Sequence, residues 1–106
     1  MEQGCIILVR FPFTNIIDYK IRPALVVSNA EFNKKFDFWA CPITTKEFPE
    51  NIEITKSIIE GELDRKSFAR TSNIFTIKKE LVLKAIGKLS KEKTKEIIKE
   101  LIKNME

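Results

Sequence analysis

Two stretches decide how this chain folds: Cys5-Ile6-Ile7-Leu8-Val9-Arg10-Phe11 and, after the polar segment Pro12–Ile21, Ala24-Leu25-Val26-Val27. Both are short and almost uninterruptedly apolar, as strands are when each sheet face is covered. Outward from them the pattern recurs. Phe36–Ile43 is aromatic-rich and strand-like, Asn51–Thr55 alternates with Ile52 and Ile54 on one face, and Gly61 opens a turn leading to Ser67–Ser72. Leu81–Leu89 sets Leu81, Leu83, Ala85, Gly87 and Leu89 on one side and Lys84 and Lys88 on the other, a strand with one wet face. Ser90 suits a helix N-cap, and Ile97, Ile98, Leu101 and Ile102 recur at helical spacing, which predicts a final helix to about Lys103. Five or six short strands with no long helix between them predict a mainly β fold with a C-terminal helix, a small antiparallel barrel or a strongly curved sheet, as one domain over residues 1–106.

Composition agrees with one core. The 106 residues are 43% apolar and 32% charged, neither a disordered segment nor a fibre. Cys5 and Cys41 stand far apart and the chain has no histidine, so no zinc set is expected, and Ser-His, Cys-His and paired-His chemistries are excluded. No cofactor motif is evident. The longest early apolar run, Cys5 to Val9, is too short for a signal-peptide core or a membrane span, and the two lone cysteines suit a reducing compartment. A cytoplasmic location without membrane contact is expected.

The net charge of +4 is uneven. Met1 to Ile77 balances ten basic against ten acidic residues, whereas Lys78 to Glu106 carries nine lysines and five glutamates. That excess belongs to the solvated face of the final helix. Arginine appears only at Arg10, Arg22, Arg65 and Arg70, and its rigid fork suits phosphate better than the point charge of lysine. Arg22 precedes Pro23, which holds it extended at the entry to an apolar strand. Its alternative is a surface ion pair with Asp18. Thr44 and Thr45 follow Pro42-Ile43, where hydroxyls bond a phosphate or serve as routine turn residues. Arg70 interrupts Phe68-Ala69, so a half-buried guanidinium requiring an anion, carboxylate or phosphate, is expected there with Ser72 on the same face. Phe13 and Phe48, beside polar loop residues, stay open as base-stacking platforms while the other aromatics read as core.

These blocks in order, Gly4-Cys5-Ile6-Ile7, Phe11-Pro12-Phe13, Arg22-Pro23-Ala24-Leu25-Val26-Val27-Ser28, Pro42-Ile43-Thr44-Thr45, Arg70, Phe75-Thr76-Ile77 and Ile86-Gly87-Lys88-Leu89-Ser90, resemble the MazF/PemK family of toxin ribonucleases over nearly the whole chain. The resemblance implies an SH3-like barrel with a C-terminal helix, a homodimer, metal-independent cleavage of single-stranded mRNA at short sequences, and a small antitoxin that covers the RNA groove. It implies Arg22 and Thr44 as catalytic residues with Arg70 added to the site, and RNA contacts from Asn15, Lys20, Thr45 and Ser72. An aspartate often stands where this chain has Ser72, so a carboxylate base is missing at that position; Asp18 and Glu47 are the alternatives. The rival readings are an RNA-binding barrel of the same family without cleavage and a gyrase-binding toxin. The chain end Lys103-Asn104-Met105-Glu106 lacks the aromatics that the gyrase reading calls for.

Overall fold

In the computed structural model, residues 1–12 and 19–106 are described. β1 (Cys5–Pro12) is flanked antiparallel by β2 (Tyr19–Val26) and β8 (Val82–Leu89). β3 (Phe38–Thr44) lies beyond β2 and shares its far side between β6 (Phe68–Arg70) and β7 (Phe75–Ile77). β4 (Asn51–Glu53) and β5 (Ile58–Gly61) form the two edges, giving the order β4-β6-β3-β2-β1-β8-β5. The sheet curls into a half-barrel that carries the C-terminal helix α2 (Lys91–Met105).

Alternation along the strands sorts the apolar side chains onto two faces. Ile6, Leu25, Cys41, Ile43 and Ala69 pack with Ile97 and Leu101 of α2. Ile7, Val9, Ala24, Val26 and Ala40 form the second cluster on the opposite face with Phe38 and Ile77. Burying Ile97 and Leu101 contributes about 1.5–3 kcal/mol each, which fixes the helix to the first face. Ser90 caps α2 by accepting from the Lys93 amide at 3.2 Å, as its position in the sequence predicts. The outer edge of the apolar stripe is wet: Ile102 is 50% exposed.

Two local features depart from the sequence pattern. β8 does not keep one wet face, because its register with β1 shifts between Ile6 and Ile7 and again between Leu8 and Val9. Each shift advances one strand by a residue and exchanges the faces beyond it. Leu83 and Ala85 are therefore exposed, while Ile86 packs against the helix-side core. The second departure is α1 (Ala30–Lys35), a six-residue helix that the apolar pattern does not announce. Polar bonds hold it: Asn29 accepts from the Phe32 amide at 2.9 Å, and buried Asn33 bonds the Ser28 hydroxyl and donates to the carbonyls of Ser28 at 3.0 Å and Met1 at 2.9 Å. Gly61, at φ +73°, allows β5 to approach β8 where a Cβ would meet the Ile86 carbonyl oxygen at 2.0 Å. Among the described residues, no helix is long and apolar enough to cross a membrane.

Candidate active site

A cleft of about 540 Å³ opens at one end of the face that carries Val9, Ala24 and Val26. Arg22, Lys46 and Arg70 supply three cations to its lining, Thr44 and Asn73 supply polar groups, and Phe11, Phe48 and Phe75 supply rings. Pro23, Pro42 and Ile43 complete it, so among the described residues no carboxylate lines the cleft.

Sheet geometry explains the convergence. β2 and β3 pair Val26↔Ala40, Leu25↔Cys41 and Ala24↔Pro42, and the ladder stops there. Pro23 has no amide hydrogen with which to continue it. Extending the same register by two places sets Arg22 opposite Thr44. On the other side of β3, Ile43 pairs with Ala69 and Ala40 with Phe75. Five residues, 70–74, thus stand against two, Cys41 and Pro42, and the excess forms a bulge beside a proline that offers no ladder donor. Arg70 and Asn73 leave this bulge into the cleft.

Backbone contacts fix these positions. The Cys41 thiol donates to the Arg70 carbonyl at 2.9 Å, and burial pushes that thiol up to about 12, so it remains a protonated donor at neutral pH. The Asn73 amide donates to the same carbonyl at 3.2 Å. Thr71, buried beside Arg70, donates to the Glu50 carbonyl at 2.5 Å, and Asn104 of α2 donates to the Thr71 carbonyl at 3.0 Å. Thr44 Oγ1 accepts from the Lys46 amide at 3.2 Å, leaving the hydroxyl proton available to a ligand oxygen. Among the described residues neither Arg22 nor Arg70 has a carboxylate within ion-pair distance. Both are exposed.

The family of PemK-like, MazF-like toxins of type II toxin-antitoxin systems matches residues 2–105. The chain belongs to that family. Its fold is that of solved relatives. A Mycobacterium tuberculosis toxin, MazF-mt6, superimposes with a TM-score of 0.73 at 20% identity, over 94% of this chain and 93% of the other. An endoribonuclease from a mycobacterial species, solved with its cognate antitoxin, gives 0.77 at 19% identity over 99% and 92%. MazF from Deinococcus radiodurans gives 0.73 at 18% identity over 99% and 96%. No curated protein sequence matches the chain.

In this MazF-like toxin, Arg22, Thr44 and Arg70 meet at one cleft. Thr45 and Lys20 are exposed but do not line it, and Asn15 lies outside the described residues, as does Asp18. Arg70 is exposed rather than half-buried, because the bulge carries it off the ladder into open space. β6 ends at Arg70, so Ser72 does not share its face as a continued strand would require; Ser72 is exposed in the turn, and Asn73 reaches the cleft instead. Glu47 does not line the cleft and lies 3.9 Å from Lys66. Lys46, Asn73 and Cys41 were not singled out from the sequence. Lys46 was accessible to that reasoning, since it stands two residues beyond Thr44, whereas Asn73 depends on a bulge that no local pattern marks.

Proposed function

We propose that the toxin cleaves single-stranded RNA by attack of a ribose 2′-OH on the adjacent phosphate. The observation that carries this reading is a cleft with three cations, no carboxylate and two arginines without ion-pair partners among the described residues. Such a site suits a phosphodiester and repels no part of it. Arg22 and Arg70 face the phosphoryl oxygens as charge grows in the transition state, and Thr44 donates its hydroxyl proton to the phosphate or aligns the attacking group. Each preorganised donor of this kind contributes about 3 kcal/mol. Lys46 adds a third positive charge to the same space. DNA lacks the attacking hydroxyl and is spared.

The partners that fit are single-stranded RNA, a cognate antitoxin that blocks the groove, and a second copy of the toxin. The antitoxin complex of the mycobacterial relative supports the second. One observation favours a second reading, an RNA-binding barrel without cleavage: among the described residues no side chain that readily accepts a proton at neutral pH lines the cleft. Purified toxin incubated with single-stranded RNA in EDTA decides between them. New ends carrying a 2′,3′-cyclic phosphate, with a DNA copy left whole, are expected. Bound but uncut RNA at high protein concentration establishes the binder instead, and cutting of the DNA copy sinks attack by the 2′-OH.

A further inference from the structure

We propose that Phe48 is a stacking platform for an unpaired nucleobase of the strand held in the cleft, an inference that rests on the RNA-directed reading above. Phe48 is 49% exposed, yet it lines the cleft alongside Arg22, Thr44 and Arg70. The other two rings there are committed: Phe11 and Phe75 pack on each other, tilted by 53° with centroids 5.0 Å apart, and against the second core cluster. Phe48 has no ring or cation partner among the described residues. A ring left half in water contributes nothing to the core and keeps a face available.

The loop that carries Phe48 is braced rather than free. The Lys46 carbonyl accepts from the Asn51 side chain at 2.9 Å, the Phe48 carbonyl accepts from the Asn51 amide at 3.0 Å, and the Glu50 carbonyl accepts from Thr71. Backbone fixed on both sides of the ring leaves little conformational entropy to lose when a ligand stacks on it. The cations beside the ring select the occupant. An anion that presents a flat apolar face next to its charge is a nucleotide in a single strand, where the base is free of a pairing partner. Stacking accepts any base, so Phe48 supplies affinity and holds the strand against the two arginines, while base identity is read elsewhere.

The test uses binding without turnover. Dissociation constants are measured by fluorescence anisotropy for a labelled single-stranded DNA, which is not cut, and for a strand of equal length made only of abasic sites. The parent, Phe48→Ala and Phe48→Trp are compared on both strands. Phe48→Ala is expected to weaken the base-bearing strand about tenfold and to leave the abasic strand unchanged, with Phe48→Trp restoring the parent value. The abasic strand also reports that the variant is folded. Equal losses on both strands, or none on either, overturn the proposal. Loss of antitoxin binding alone, with both strands unaffected, overturns it in favour of a protein anchor. A toxin that shows the coupling but cuts no RNA loses only the cleavage reading, and one that cuts RNA without the coupling loses only Phe48.

Discussion

Two clefts of nearly equal size, about 540 Å³ beside Arg22 and about 590 Å³ beside the N-terminus, differ in how charge is compensated. The second is lined by Glu2, Glu60 and Lys88, and Lys88 is already bonded to Glu2 at 2.5 Å. Among the described residues, the first gathers three cations and no carboxylate. Volume does not separate the two. What separates them is charge left without a partner, which marks where a ligand of opposite sign is due.

The largest expected effect of that difference is on turnover. Arg22→Ala should slow RNA cleavage by about 10²- to 10³-fold, measured as initial rates on single-stranded RNA in EDTA, while Lys88→Ala in the other cleft leaves the rate within twofold. Comparable losses from both variants would erase the contrast. Arg70→Ala should follow with a loss of about tenfold or more, mainly in kcat, and an unchanged rate would return Arg70 to a structural role. Salt offers a subtler measure. Three cations meeting a single strand predict a slope of log affinity against log salt of about −2, and Arg22→Ala should make it shallower by about 0.7. Lys88→Ala should not move the slope.

The smallest expected effect lies in the compensated cleft. The hydrogen bond and charge of Lys88 hold Glu2 below its ordinary value of 4.5, and the same bond holds Lys88 above 10.5. A lowered carboxylate contributes stability that is present above its unfolded value and lost as pH falls through the folded one. A raised lysine contributes below its unfolded value and loses that as pH rises through the folded one. Melting curves of Glu2→Gln should therefore lie slightly below those of the parent near neutrality and merge with them in acid below 4.5. Glu2 is exposed and Lys88 only half-buried, so a large or pH-independent difference would mean that Glu2 acts through something other than this pair.

The same contrast shows what a sequence discloses. β1, the second half of β2, β3 and α2 were legible because each is written in consecutive residues, as apolar or aromatic runs or as Ser90 followed by Ile97 and Leu101 at helical spacing, whereas β2 begins at Tyr19, inside the segment that reads as a connection, because pairing with β1 rather than an apolar run extends it. The bonds of Ser28, Asn29 and Asn33 that support α1 are polar and partly long-range, reaching back to Met1, so no periodicity announces them. The faces of β8 were misread for a related reason, since the two extra residues in its pairing with β1, Ile86 and Leu83, leave no mark in the alternation of β8 itself. At the site, Arg22 and Thr44 stood out through their prolines and strand ends. Ser72 did not arrive at the cleft, because strand alternation was carried past the point where β6 ends, and Thr45, expected there from the family resemblance, lies just beyond the end of β3 and outside the lining. Cys41 stands in the sequence only as a lone cysteine; the fold buries it and shows that its thiol holds the carbonyl of Arg70.

The bulge at 70–74 has a consequence for how such a molecule diversifies. Pairing with β3 ends at Ala69 and resumes at Phe75, and Thr71 is tied down by Glu50 and Asn104, so the exposed residues Ser72, Asn73 and Ile74 carry none of the ladder between them. Substitutions or an added residue there would reshape one lip of the cleft while both flanking strands keep their register. Descendants of this chain have a place to drift in substrate preference without first risking the architecture that makes any preference possible.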